Sequence, residues 1–201
     1  MPHETEQKQQ EEAIPQLLMV SDLRAVPEDA PVPPYGIRCM REGDEKAWET
    51  IIYEAFGVAV PSETLTGDPA YRPERVWFAV DEQDRPVATA SCWTTPDYAD
   101  GCAVLHMVGL RPAYAGRRLG QAATVAAMRE AKREGFSMMA LRTDPFRFPA
   151  IKSYLRIGFR PIVIHAAHKE MWERILRQVG SEEWIPSLDR SGCFRIFKNA
   201  E

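Results

Sequence analysis

Leu110-Arg-Pro-Ala-Tyr-Ala-Gly-Arg-Arg-Leu-Gly120, with the small-residue helix that the pattern predicts after it, is the stretch best suited to binding an anion. An apolar run from Ala103 to Leu110 stops at a proline. A short glycine-punctuated loop follows, and a helical pattern then runs from Leu119 through Ala122, Ala123, Ala126 and Ala127 to about Glu134. A strand, a glycine-bearing loop and a helix that opens on small residues make an anion site. The first helical turn carries N–H groups without intrahelical acceptors and the positive end of the dipole, which suits a phosphate or pyrophosphate. Arg117 and Arg118 stand at that helix start, where each cation opposes the dipole by about 0.3–1 kcal/mol; such a placement argues for an anion nearby. The loop has neither Gly-x-x-x-x-Gly spacing nor a following Gly-Lys-Ser/Thr, which argues against a nucleotide phosphotransferase.

Bulk properties narrow the class. The chain has 201 residues, 45% of them hydrophobic, enough for one domain with a real core and appendages. The net charge of −4 supplies no global field to recruit nucleic acid, and the basic group Arg129, Lys132 and Arg133 reads as a solvated helix face. The longest apolar runs fall far short of the roughly 20 residues that span a bilayer, so no membrane association is expected. The start, MPHETEQKQQEE, is polar and mostly acidic, without the regions of a signal peptide; a cytoplasmic location is the expectation. Cys39, Cys92, Cys102 and Cys193 form no C-x-x-C pair and have no histidine at zinc spacing, so reduced thiols and no metal are expected.

The elements that must hold the loop follow from periodicity and breakers. Residues 1–13 read as a disordered tail, Gln16 to Val20 as a short strand, and the stretch with Pro27, Pro31, Pro33 and Pro34 as an irregular connector. Tyr35 to Met40 is a strand. A helix opens at Gly43-Asp44, with Asp44 as N-cap or first-turn acid, and stops at Gly57. Residues 58–74 read as a loop or broken helix. Arg75 to Val80 and Val87 to Trp93 flank a polar turn and predict a hairpin. Gly101 to Leu110 is the next strand, Gly135 ends the helix that follows, and Ser137 to Arg142 is a buried strand. Pro149 opens a helix of about nine residues ending at Gly158; Phe159 to Ile164 is a strand. Residues 168 to 179 carry Met171, Trp172, Ile175, Leu176 and Val179 at helical spacing, and Cys193 to Phe197 is a last short strand. The order predicts a mixed, mostly antiparallel central sheet with flanking helices, α/β in class, its later strands joined by helical crossovers.

Three pieces in order give the chain a family resemblance. Val108 to Gly120 looks like the strand and pyrophosphate loop of the GNAT superfamily of N-acetyltransferases. Leu141-Arg-Thr-Asp-Pro-Phe-Arg-Phe-Pro-Ala-Ile-Lys-Ser-Tyr154 looks like that family's fifth strand and following helix. Tyr154-Leu-Arg-Ile-Gly-Phe159 is similar to its Tyr-x-x-x-Gly-Phe signature. The resemblance divides the chain into an N-terminal extension, partly disordered, at 1–34, a GNAT-like domain at 35–165, and a C-terminal helix with a short strand at 166–201. The family's loop reads (Gln/Arg)-x-x-Gly-x-(Gly/Ala). Anchored on Pro112 and Tyr114, this chain places Ala115 at the Gln/Arg position and Arg118 at the first glycine, keeping Gly120. Arg118 fits there if its φ is negative. Asp144 and Arg147 stand where the family often has asparagines.

The resemblance implies acetyl-CoA as donor, an N-acetyltransferase activity by direct transfer, and a small-molecule amine as acceptor. Val108, Gly109 and Leu110 would offer main-chain groups to the pantetheine arm, as an added strand would. Gly116, Arg117, Arg118, Leu119, Gly120 and Gln121 would hold the pyrophosphate. Tyr154 matches the tyrosine that protonates the departing thiolate; its other reading is a core aromatic. His106, two residues before Val108 and with an ordinary pKa near 6.5, is the first candidate base; it also reads as a hydrogen-bonded histidine in a sheet. Glu54 is a second candidate beside a solvated-face reading, and water is a third. Glu54, Phe56 and Trp93 are the candidate acceptor-pocket residues, with Tyr53 and Trp77 as further aromatics that suit either pocket or core. His165 and His168 read as structural. The motif departures leave a second function class open, a non-catalytic CoA-binding or protein-interaction module. The N-terminus and C-terminal helix could serve a homodimer through Trp172 and Trp184, although the favoured reading of these two residues is an intramolecular core contact.

Overall fold

The computed structural model describes residues 14–28, 31, 33–193 and 196–197; the polar tail at 1–13 lies outside them. The described strands are β1 (Leu17–Ser21), β2 (Gly36–Cys39), β3 (Val76–Val80), β4 (Pro86–Trp93), β5 (Cys102–Leu110), β6 (Met138–Thr143) and β7 (Arg160–Ile162). They form one sheet in the order β2-β3-β4-β5-β6-β1-β7. The β5–β6 pair is parallel and its neighbours are antiparallel. The helices are α1 (Glu45–Phe56), α2 (Glu63–Thr66), α3 (Leu119–Arg133), α4 (Phe148–Arg156) and α5 (His168–Val179). The expected mixed, mostly antiparallel sheet with flanking helices is therefore observed.

Local rules account for most boundaries. α1 ends at Gly57, whose φ of 72° is left-handed. Asp44 stands at the N-cap of α1 but makes no side-chain cap there; its carboxylate instead accepts from Arg38 at 2.6 and 3.0 Å and from the Arg41 amide at 2.7 Å. The β3–β4 turn is held by Asp81, whose carboxylate accepts from the amides of Gln83 and Arg85, both at 3.0 Å. Along α3, Ala122, Ala123, Ala126, Ala127 and Ala131 are all buried. Their small side chains let the helix axis lie close over β3, β4 and β5.

β1 is the main departure from sequence expectation, in place rather than in type. Its run Leu17-Leu18-Met19-Val20 is apolar throughout, and every residue is buried. Leu17 and Met19 join the cluster beneath α3, α4 and α5, while Leu18 and Val20 join Tyr98, Ala140 and Ile162 on the other face. A strand buried on both faces belongs in a sheet interior. Here it is inserted between β6 and β7, paired antiparallel to both. At the other end of the chain, Glu182–Cys193 is a 3-10 helical segment, so Cys193 does not begin a strand. Phe197 makes an isolated bridge with Tyr98, and residues 194 and 195 lie outside the described set. Trp172 is fully buried in the chain's own core, and Trp184 packs against that core from its edge.

Candidate active site

The site begins with a break in sheet regularity. Between the pairs Thr89↔Gly109 and Ser91↔His106, β4 advances two residues while β5 advances three. The extra residue makes a β-bulge, and Met107 within it has a left-handed φ of 49°. On its other edge β5 pairs with β6 over Cys102–Val104 and Met138–Ala140, and the register ends there. Bulged on one side and unpaired on the other, the upper half of β5 parts from β6. Gly109 lies in this half, directly under α1: a Cβ added there would meet Ile51 Cγ2 at 2.9 Å. A glycine is needed for α1 to sit that close to the strand.

The parted strands open a cleft of about 550 Å³. Val108, Gly109 and Leu110 form one wall, and Gly116, Arg118, Gly120, Gln121 and Thr124 form the end where α3 begins. α4 forms the opposite wall with Pro149, Ala150, Lys152, Ser153, Tyr154 and Arg156. The first described helical bond of α3 runs from the Ala122 amide to the Arg118 carbonyl at 2.9 Å. The turn before it therefore directs its N–H groups out of the helix end. Ser153 donates to Gln121 Oε1 at 3.3 Å and so ties α4 to that first turn.

Arg118 departs from expectation. Its φ is +58° and ψ 18°, so the loop enters α3 through a left-handed residue, not one of negative φ. The position needs what glycine gives freely, and an arginine occupies it with strain. Arg117 does not line the cleft; it donates to the Ala113 carbonyl at 2.7 Å and lies over the Tyr114 ring at 5.7 Å. Leu119 is fully buried in a small cluster with Ala79, Val87 and Ala88, so its side chain is structural and its amide belongs to the helix end.

Tyr154 lines the cleft and is 8% exposed, its ring edge-on to Phe159 at 5.9 Å. Burial pushes its phenol up to about 12, partly offset by the charge of Arg147. His106 lies elsewhere. It is not among the residues lining the cleft. It pairs with Ser91 across the strands and stacks on Trp93 at 5.6 Å, on the sheet face covered by α1. Burial holds its pKa below the ordinary value, with Asp68 acting weakly the other way. The structure thus brings Tyr154 and the loop residues into one cleft, packs Trp93 with residues of α1, and stacks His106 on that Trp93 outside the cleft. Glu54 lines the cleft, but its carboxylate is clasped by Arg111 at 3.0–3.2 Å. Phe56 lies under the Arg147 guanidinium at 4.6 Å; Arg147 also ion-pairs with Asp144 at 2.9 Å, and Gln16 donates to Asp144 at 2.8 Å. Asp144 is thereby committed to holding the chain, while Arg147 bridges α1 and α4 at the cleft mouth.

Sequence reasoning missed Thr124, Lys152, Ser153 and Arg156. A signal existed. Gly120, Gln121 and Thr124 are the small or polar positions on one face of an alanine-rich helix, and Lys152 and Arg156 are one turn apart on α4. Burial raises the thiols of Cys92 and Cys102 to about 12 and about 11, which keeps them protonated. Among the described residues no group of three or more histidine, cysteine or carboxylate side chains could hold a metal, and no helix is long and apolar enough to cross a membrane.

Comparison with known proteins follows the same lines. A family model described as acetyltransferase (GNAT) family matches residues 40–159. The mycothiol acetyltransferase of Beutenbergia cavernae is 25% identical over 135 residues, 63% of this chain and 45% of its own length. That of Pseudarthrobacter chlorophenolicus is 31% identical over 126 residues, 58% of this chain and 39% of its own length. The chain thus spans less than half the length of these curated relatives. Among solved structures, a GCN5-related N-acetyltransferase from Sphaerobacter thermophilus superposes with a TM-score of 0.59 at 25% identity, covering 74% of this chain and 49% of that one.

Proposed function

The chain belongs to the acetyltransferase (GNAT) family, and from that premise we propose that it moves an acetyl group from acetyl-CoA directly to a primary amine of a small-molecule acceptor. The observation that carries this reading is the cleft itself. It has unpaired strand edge along one wall, helix-start amides at one end, and a buried phenol in the opposite wall. Such an arrangement accommodates a pyrophosphate at the helix start, an extended amide-bearing arm along the strand edge, and a thioester at the far end of that arm.

The chemistry is as follows. The amine nitrogen attacks the thioester carbonyl, the C–N bond forms, and the C–S bond breaks. Tyr154, a phenol already protonated at neutral pH and held more firmly so by burial, gives its proton to the departing thiolate and regains one from solvent. At pH 7 a lysine-like amine is neutral at only about one part in several thousand, so removal of its proton helps by roughly 10²–10⁴-fold. His106, on the neighbouring sheet face and outside the cleft lining, is the candidate to receive that proton through water; its lowered pKa keeps it neutral and able to accept. Glu54, bound to Arg111, serves better to shape the cleft.

A thiol-release assay over a panel of amines tests the proposal, and the acceptor of the mycothiol acetyltransferases belongs on that panel because of the relatives' name. Tyr154→Phe should keep acetyl-CoA affinity within about twofold and lower turnover by about 10²-fold or more. Equal turnover in the variant would remove the assigned role. Tight acetyl-CoA binding with no thiol release from any amine would favour the binding-module reading instead.

A further inference from the structure

The cleft is cationic in an acidic chain. Its lining carries Arg118, Arg147, Lys152 and Arg156 against one carboxylate, Glu54, while the chain as a whole has a net charge of −4. Two of these charges are already used: Glu54 is neutralised by Arg111, and Arg147 by Asp144. Arg118, Lys152 and Arg156 are exposed and make no ion pair among the described residues. Arg118 stands at the start of α3 and serves the pyrophosphate of the proposed donor. Lys152 and Arg156 are then in excess of what a pyrophosphate needs.

Their placement on α4 says what they are for. At about 100° per residue, positions 152 and 156 lie within about 40° of each other, and Tyr154 lies on roughly the opposite side of the helix. The phenol faces inward and the two cations form the rim. Ser153, between them in angle and Tyr154, bonds Gln121 in the first turn of α3, which puts the cation pair beside the pyrophosphate end of the cleft. Acetyl-CoA carries one further anionic group near its pyrophosphate, the 3′-phosphate of its ribose. We propose that Lys152 and Arg156 bind this 3′-phosphate, so that the protein discriminates against donors that lack it. The inference rests on the acetyl-CoA reading above and goes beyond it by naming the residues that select the nucleotide end.

Calorimetric titration of CoA and of 3′-dephospho-CoA, at one fixed ionic strength, into the full chain and into the Lys152→Gln/Arg156→Gln double variant tests it. Both side chains are exposed, so folding should be unaffected. The native chain should bind CoA about tenfold or more tightly than 3′-dephospho-CoA, as two charge-assisted contacts imply. The double variant should bind both alike, at the native affinity for 3′-dephospho-CoA within about twofold. Equal affinities in the native chain, or a variant that still discriminates or weakens on both ligands by the same factor, would overturn the assignment and leave the donor reading intact. A native chain that binds neither ligand would overturn both.

Discussion

Arg118→Gly should raise stability and lower donor affinity at once. Arg118 has a φ of +58° at the start of α3. For a residue with a Cβ, that conformation costs roughly 1–2 kcal/mol. The guanidinium also sits at the positive end of the α3 dipole, unfavourable by about 0.3–1 kcal/mol without an anion. Glycine removes both terms and adds back about 0.4–1 kcal/mol of unfolded-chain entropy. The net is a gain of about 1 kcal/mol, or about 2–4 °C in Tm for a chain of this size. Arg118→Ala separates the terms, because alanine keeps the strain and loses the charge; its gain should be well below that of glycine. Both variants lose the cation that the proposed pyrophosphate would face, so each should weaken acetyl-CoA binding by several-fold. Differential scanning calorimetry on the ligand-free chain and titration calorimetry with acetyl-CoA read the two effects separately. A Tm for Arg118→Gly at or below that of the native chain would refute the strain argument. Unchanged acetyl-CoA affinity in both variants would refute the role given to the guanidinium.

Further expectations follow from the same geometry. Gly109→Ala forces a Cβ to within 2.9 Å of Ile51, so it should destabilise the chain by about 1–3 kcal/mol in urea unfolding and impair acetyl transfer by shifting α1. Because burial depresses the pKa of His106, the acid limb of kcat/KM should lie below about 6.5, with activity full above it; His106→Gln should remove that limb, and a limb that survives would shift the base to another group. His106 and His168 both have pKa values lowered by burial. The unfolded chain therefore takes up their protons first. The stability they confer is complete above about pH 6.5 and is lost as pH falls through the folded values. Thermal scans should show Tm declining from pH 7 to pH 5, and His168→Gln should flatten part of that decline.

Short-range physics was legible in the chain. α5 runs over 168–179 as its spacing of Met171, Trp172, Ile175, Leu176 and Val179 requires, and Gly180 closes it at a φ of 66°. The β3–β4 hairpin and the strand, loop and helix of β5 and α3 were equally plain, because each depends on residues a few positions apart. The helix start at Leu119 was readable for the same reason: it needs an order of elements and no distant partner.

Local patterns in the chain thus carried the class of sheet and most element boundaries, and singled out the loop at Gly116–Gln121 and Tyr154 as candidates. The tertiary structure decided the rest. It set β1 between β6 and β7, pairing Leu17 with Thr143. It gave Arg118 a left-handed backbone, tied Glu54 to Arg111, stacked His106 on Trp93 outside the cleft, and set Lys152 and Arg156 in the cleft lining. Each of these depends on contacts between segments far apart in the chain. Their free energy comes from burying two-faced strands and small-residue helices together, and local spacing carries no record of which distant surface completes that burial.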